Sequence, residues 1–283
     1  MDDYVEFFPW LEGERIFSSL GRAVVKRRRQ DGEGFEVAKV GAVNENEIAV
    51  LDHISRCTTV KTAKLRGVSI VRENSIMIMD FLPGKRLDSV WKSMNGDDKE
   101  YLKTQIQEQV VLLRQCSIDY VGGISHNRYV RDPYRPFKGE FCGPFHTEAD
   151  FDKHKVSLLG ARDPAAAKAL EEKLDALRKP ASKPRFVLTH GDLCPHNILV
   201  QNVGEGNDTE WRITGIIDWE RSGFFPDYME YTIAMTSEFH DPEWKQFLNE
   251  VFSGIGLQCS PQRVEAEALA VERLFGEVTY FGH

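Results

Sequence analysis

Apolar residues along the chain change period near residue 82. Before it, short alternating runs predict strands: Arg22 to Lys26 and Phe35 to Val40 read as an antiparallel hairpin, closed by Arg27-Arg28-Arg29 and a Gln-Asp-Gly-Glu-Gly turn. Ser75 to Phe81 is a continuous apolar strand stopped by Leu82-Pro83-Gly84. Asn44 to Ser55, with Ile48, Leu51 and Ile54 on one face, is helical. Beyond residue 82 the helical period dominates. Asp98 to Cys116 places Leu102, Ile106, Val110 and Leu113 three or four apart. Thr147, with Asp150 three residues on, opens the next helix. Asp163-Pro164 opens another, which carries Leu170, Leu174 and Leu177 and stops at Pro180. Two final helices begin at Asp241-Pro242, with Trp244, Phe247, Leu248, Val251 and Phe252 before Gly254, and at Ser260-Pro261, with Leu269 and Leu274 before Gly276.

One stretch breaks this helical run. Phe186, Val187 and Leu188 predict a buried strand, His190 to Asn197 a polar loop, and Ile198 to Val200 a second strand. The Gly-Glu-Gly-Asn-Asp cluster at 204 to 208 turns the chain, and Ile213, Ile216 and Ile217 lead back to Asp218. Asp192, Asn197 and Asp218 are thereby gathered at one end of a hairpin. Asp192 and Asn197 are five positions apart, the spacing of the protein-kinase catalytic loop, where the Asp accepts the substrate hydroxyl proton and the Asn holds Mg²⁺. Asp218 stands where a second metal-binding carboxylate is needed, and hard oxygen donors suit Mg²⁺ better than zinc. A lone His-Gly-Asp is ordinarily a turn; the second, coupled motif moves the reading to catalysis. His190 is expected to hydrogen-bond backbone rather than do chemistry.

Gly191 takes the place of the kinase Arg, and Asp218-Trp219-Glu220 that of Asp-Phe-Gly. With His190-Gly191-Asp192-Leu193 and Ile217-Asp218-Trp219-Glu220 as they stand, the chain resembles the aminoglycoside phosphotransferase and choline kinase-like family, in particular its fungal members. The resemblance implies an α+β, two-lobed, protein-kinase-like fold, with a small β-rich N-lobe over 1–82 and a larger, mainly helical C-lobe over 83–283. It also implies ATP and Mg²⁺ as cofactors. Lys39, in Val37-Ala38-Lys39-Val40, has the pattern of the third kinase strand, whose Lys meets the nucleotide phosphates. In the family a helix glutamate braces that lysine; Glu47 fits the register, with Glu45 as the alternative. Asp80, Phe81 and Leu82 fall on the hinge, where main chain rather than side chain would meet adenine. The loose Ser18-Ser19-Leu20-Gly21 stretch would cover the nucleotide.

Two segments stay open between alternatives. Residues 125–146 are aromatic, basic and Gly/Pro-punctuated, and read as a lid or as a packed surface insertion. After Glu220, Asp227 and Glu230 alternate with Phe224, Phe225, Tyr228 and Tyr231; they fit either a cationic or sugar-like substrate or aromatic packing. The basic run at 26–29 reads as a solvated hairpin tip.

Composition bounds the rest. A chain of 283 residues that is 41% hydrophobic and 28% charged has the makings of a soluble globular enzyme. A net charge of −8 speaks against nucleic acid as partner. No apolar run is long enough to cross a bilayer, and the acidic N-terminus is unlike a secretory signal, so a cytoplasmic protein is expected. Five scattered cysteines suggest neither a disulfide framework nor a zinc site. The expected activity is ATP- and Mg²⁺-dependent transfer of phosphate to a hydroxyl of a small-molecule acceptor. Two other readings stand beside it: the same fold recruited to other chemistry on a phosphorylated or diphosphate metabolite, and a non-catalytic nucleotide-binding scaffold.

Overall fold

The computed structural model describes residues 8–19, 21–41, 43–135, 140–178, 186–204 and 209–275. Leu20, Pro180, Gly276, positions 136–139 of the aromatic segment and 205–208 of the predicted turn lie outside them.

A five-stranded antiparallel sheet of order β1-β2-β3-β5-β4 forms the N-terminal part, from β1 (Glu14–Ser19), β2 (Arg22–Arg28), β3 (Phe35–Val40), β4 (Leu65–Val71) and β5 (Asn74–Asp80). The expected β2–β3 hairpin pairs Ala23 with Val40 and Arg28 with Phe35. Its basic tip is tied internally, Arg27 to Glu36 at 2.8 Å and Arg29 to Asp31. Strands β1 and β4 were not expected: both are edge strands of mixed exposure without clean alternation. The stretch expected to cover the nucleotide is the tip of the β1–β2 hairpin, which closes with Ser19 paired to Arg22. Gly41 approaches the Gly21 carbonyl so closely that a Cβ would lie 1.9 Å from it, so no side chain fits there.

Helix α1 (Glu45–Cys57) starts on Asn44, whose side chain accepts the Glu47 N–H; such a cap is worth about 1 kcal/mol. Its inner face, Val50, Leu51 and Ile54, joins Met77 of β5 in the larger core, while Ala23, Val25, Ala38 and Val40 build a smaller one with Leu11 and Ile76. Beyond the sheet, Gly84 passes so close to Val200 that a Cβ would meet its carbonyl at 2.5 Å, and β6 (Lys85–Arg86) pairs with Leu199 and Val200. A single helical turn, α2 (Leu87–Val90), leads to α3 (Gly96–Leu113), which begins two residues before Asp98 because Asn95 and Asp98 form a reciprocal capping box. Its Leu102, Ile106, Val110 and Leu113 are all buried.

Among the described residues of 125–146, buried side chains stand beside exposed ones such as Tyr129 and Phe141. Val130, Tyr134 and Cys142 are buried, and β8 (Val130–Arg131) pairs with β9 (Phe141–Cys142). Helices α4 (Glu148–Gly160) and α5 (Pro164–Leu177) carry the expected Thr147 and Asp163 caps. Strand β10 (Phe186–Thr189) lies between β7 (Ser117–Ile118) and β13 (Gly223–Pro226), and β11 (Ile198–Asn202) pairs with β12 (Trp211–Ile216). The aromatic stretch after Glu220 is thus a strand followed by a helix, α6 (Met229–Thr236). Helix α7 (Pro242–Gly254) starts on the Asp241 cap, and α8 (Pro261–Phe275) closes the order. No helix among the described residues is long and apolar enough to cross a membrane.

Candidate active site

The β10–β11 loop is fixed from beneath before it presents any functional group. Glu230, in the first turn of α6, is buried and accepts the backbone N–H groups of His190 at 2.5 Å and Gly191 at 3.1 Å. His190 is also buried. Its Nδ1 accepts the Asp192 N–H at 3.2 Å, which leaves Nε2 to donate to the Ile217 carbonyl at 3.0 Å and stitches the loop to the strand that delivers Asp218. A second stitch runs from the Ile217 N–H to the Asn197 carbonyl at 2.9 Å. Gly191 sits at φ +78°, and a Cβ there would lie 2.6 Å from the Arg221 carbonyl, which explains why no larger residue occupies the position.

Asp218 also has a left-handed backbone, φ 63° and ψ 64°, which is uncommon for a residue with a side chain. Trp219 behind it is buried, its Nε1 donating to Thr62 Oγ1 at 2.9 Å and to the Ile216 carbonyl at 3.0 Å. The Asp218 carboxylate lies 2.9 Å from Lys39 Nζ, and Lys39 lies 2.7 Å from Glu47 Oε1. Three residues from β3, α1 and the β12 end therefore meet at one ammonium, whereas Glu45 pairs instead with His126 at 3.2 Å. Helix α1 is docked so that Glu47 reaches inward: Asn46 donates to the Ser222 carbonyl at 2.7 Å and accepts the Ile124 N–H at 3.0 Å.

Burial penalises all three charges, with different outcomes. It works against the Lys39 cation, yet Glu47 and Asp218 outweigh it and hold the ammonium above its usual range. It likewise opposes ionisation of Asp218, where Lys39 above all, helped by Arg22, prevails and the carboxyl stays below its ordinary range. For Glu47 burial wins, and its carboxyl is pushed up to about 7 despite Lys39.

Asn197 donates from Nδ2 to the Asp192 carbonyl at 3.0 Å. That bond orients the amide and leaves Oδ1 as the acceptor. An amide oxygen and an ionised carboxylate are the hard donors a Mg²⁺ ion takes, so the residues present fit that ion. The Asp192 carboxylate is partly exposed, with Arg221 Nη1 at 3.9 Å. Cys194, in the same loop, is buried with its thiol pushed well up by that burial, and its Sγ lies 3.0 Å from His196 Nε2.

At the hinge, side chains turn to the protein itself. Asp80 pairs with Arg66, Phe81 packs edge-on to Phe35 with ring centroids 6.2 Å apart, and Leu82 closes on Gly215. Two expected substrate contacts are not brought to the site. Asp227 is exposed at the turn before α6 with its carbonyl taken by Arg114, and Glu230 spends both carboxylate oxygens under the loop. Sequence reasoning passed over Arg221, three residues after Asp218, and gave no role to Glu220, whose Oε2 lies 3.3 Å from Arg22 and 4.0 Å from Arg131. The signal for both was the run Glu220-Arg221, a charge in the place of the kinase glycine followed directly by another.

Residues 14–268 match the model of the phosphotransferase enzyme family, and the chain belongs to that family. Its fold is protein-kinase-like, that of the aminoglycoside phosphotransferases. A thermostable mutant of aminoglycoside phosphotransferase APH(4)-Ia, solved as a ternary complex with AMP-PNP and hygromycin B, superposes with a TM-score of 0.62 at 15% identity over 92% of this chain and 83% of that one. A related ternary complex with ADP and hygromycin B gives a TM-score of 0.59 at 14% identity over the same shares. No curated protein is similar enough to the chain to count as a match.

Proposed function

We propose that this phosphotransferase uses ATP and Mg²⁺ to move the γ-phosphoryl group onto a hydroxyl of a small molecule. The observation that carries the reading is the chain of contacts from Glu47 through Lys39 to Asp218, with Asp192 and Asn197 hydrogen-bonded together in the adjoining loop. Lys39, braced by Glu47, meets the nucleotide phosphates, and main chain of Asp80 to Leu82 faces the adenine. Asn197 and Asp218 would hold Mg²⁺, and the ion would supply positive charge to offset that of the phosphates. Asp192 orients the acceptor hydroxyl and takes its proton. Such catalysis is mostly positioning and electrostatic stabilisation. The AMP-PNP and ADP in the structural neighbours support the nucleotide, and hygromycin B in those complexes supports a small-molecule acceptor. The lobes divide near Leu82, and the cytoplasm, where ATP is plentiful, is the proposed place of action.

Incubation with ATP labelled in its γ-phosphate, Mg²⁺ and a metabolite extract tests this. Label in a single new phosphate ester, absent with Asp192→Asn, is the expected result. Metabolite turnover that needs no ATP would instead favour the fold recruited to other chemistry.

A further inference from the structure

Among the described residues, two trios bring a carboxylate oxygen, a thiol sulfur and an imidazole nitrogen within 4.8 Å of one another: Asp132, Cys142 and His154, and Asp192, Cys194 and His196. The first is already satisfied by the protein. Asp132 is wholly buried, its oxygens taken by His154 Nε2 at 2.9 Å, the Tyr134 N–H at 2.9 Å and Arg135 at 3.3 Å, and a guanidinium against that carboxylate repels a further cation. The second is held less tightly. Arg221 Nη1 approaches Asp192 Oδ1 only to 3.9 Å, beyond hydrogen-bond reach, so the carboxylate still has room for a closer cation.

This second trio occupies alternate positions of the β10–β11 loop, and the backbone fixes it there. The Asp192 carbonyl accepts the Cys194 N–H at 2.9 Å, the Cys194 carbonyl accepts the Asn197 N–H at 3.0 Å, and Pro195 restricts φ between them. Cys194 Sγ lies 3.0 Å from His196 Nε2. Burial and the Asp192 carboxylate keep the thiol protonated, so the S–H donates to Nε2 and a proton sits between two metal-ligating atoms. The negative charge that hinders a thiolate also draws a dication. Two clefts border the loop, and the one onto which Asp192 and His196 open is lined by Cys194, His240 and Trp244 as well. His240 is 8% exposed, burial keeps its ring neutral, and its Nδ1–H goes to the Ala234 carbonyl at 3.2 Å, which leaves Nε2 as a bare acceptor.

We infer that Asp192, Cys194 and His196 form a site for a thiophilic divalent cation of the zinc class, separate from the Asn197–Asp218 pair, and that the bound ion holds the carboxylate which the acceptor hydroxyl needs. Sulfur and imidazole select zinc over magnesium, and oxygen donors the reverse, so two neighbouring sites sort two metals. Binding forms one sulfur–metal bond and breaks the S–H bond, whose proton passes to solvent. Three protein ligands leave a fourth position to water, and His240 Nε2 is the acceptor for it. Zinc is then a brake on phosphotransfer. That consequence rests on Asp192 acting as proposed above; the binding does not. Cysteine spacing cannot disclose the site, because only one cysteine takes part.

Cobalt(II) is the probe, since a thiolate on it gives a near-ultraviolet charge-transfer band that oxygen and nitrogen ligands do not. The reduced full-length protein is titrated with it under excess Mg²⁺, and Zn²⁺ is then added. One equivalent of band, insensitive to Mg²⁺ and abolished by Zn²⁺, is the expected result. Cys194→Ser should remove the band, while His196→Ala, at an exposed position, and Asp192→Asn should each weaken cobalt binding at least about tenfold. Absence of a band overturns the proposal, and so does one that persists in Cys194→Ser or is lost instead in Cys142→Ser or Cys57→Ser. Full cobalt affinity in His196→Ala or Asp192→Asn overturns it equally. Zn²⁺ at the concentration that displaces cobalt should stop transfer of label from ATP in the wild type and spare Cys194→Ser, measured against its own zinc-free rate; wild-type transfer that continues with the site filled removes the brake. A protein that moves no label even without zinc is a different result: it removes the phosphotransfer reading, and the cobalt titrations alone then decide the site.

Discussion

The parts of this molecule proposed to take the nucleotide and the acceptor are built in opposite ways. On that nucleotide side, Lys39 of β3 lies 2.7 Å from Glu47 of α1 and 2.9 Å from Asp218 just past β12, so one cation is held between two carboxylates. On the proposed acceptor side, Arg131, Arg221 and Phe239 come from a short strand, a single helical turn and a loop, and line the clefts beside the Asp192 loop. The first arrangement would suit a ligand whose charge is fixed. Side chains on loops and short turns can be exchanged at less cost than a lysine held between two carboxylates.

The sharpest test of the division is Asp192, which belongs to the acceptor side although it shares a loop with Asn197. Asp192→Asn keeps the shape of the side chain and removes the proton acceptor, so kcat should fall by at least about 10² while ATP affinity, measured by calorimetry, hardly moves. Turnover within a few-fold of wild type would remove Asp192 as base. Asp218→Ala should do the converse. It deletes an oxygen donor for the metal and a partner of Lys39, and Mg²⁺-dependent ATP affinity should drop about tenfold or more. Undiminished metal-dependent binding would break the assignment, and with it the claim that the two sides are separable.

Glu230 sharpens the comparison at lower cost to activity. Its sequence neighbourhood suggested a substrate contact, whereas its position is that of a strut beneath the loop. Glu230→Gln places an amide donor against backbone donors in a buried site, and should destabilise the fold by about 2 kcal/mol. The distinguishing measurement is the urea midpoint beside the KM for the acceptor. A strut lowers the midpoint and spares KM; a substrate ligand raises KM and spares the midpoint.

That Glu230 lies beneath the loop while Asp192, Asn197 and Asp218 come together at its rim shows where sequence is informative. Asp192, Asn197 and Asp218 lie within one hairpin, so spacing alone brings them together. The Lys39–Glu47 pair joins a strand to the next helix, again nearly local. Capping residues Asn44, Thr147, Asp163 and Asp241 likewise act within three residues of themselves and announced their helices. Strand β13 and helix α6 were missed because FFPDYMEY satisfies no period until β10 is there to pair with and His190 is there to receive Glu230. Edge strand β4 was missed for a related reason, since only one side of it is paired and its faces mix exposed and half-buried residues. Arg131 and Phe239 are 108 positions apart in sequence, and nothing short of the folded C-terminal part places both on one cleft.

The smallest expected effect is one of pH, and it tests the balance on the nucleotide side. Glu47 is buried, one carboxylate oxygen on Lys39 and the other without a hydrogen-bond partner. Burial therefore lifts its carboxyl from 4.5 to about 7 in the fold. Between those values the native protein holds a proton that the unfolded chain has released, so this group's contribution to stability is present in full below 4.5 and is lost as pH rises through about 7. Asp218 stays ionised across the window, because its carboxyl is held below the ordinary range, and Lys39 stays charged, because its ammonium is held above. Nucleotide use should run the other way: ionised Glu47 holds Lys39 more firmly, so kcat/KM for ATP rises over the interval in which stability falls. Glu47→Gln carries a neutral side chain at every pH, and should flatten both trends. Urea midpoints and ATP kinetics at the two ends of the window, for both proteins, decide it. If stability and ATP use rise together with pH in the wild type and the variant follows them, Glu47 ionises as an ordinary surface glutamate, and burial does not govern the lysine that the nucleotide side is built around.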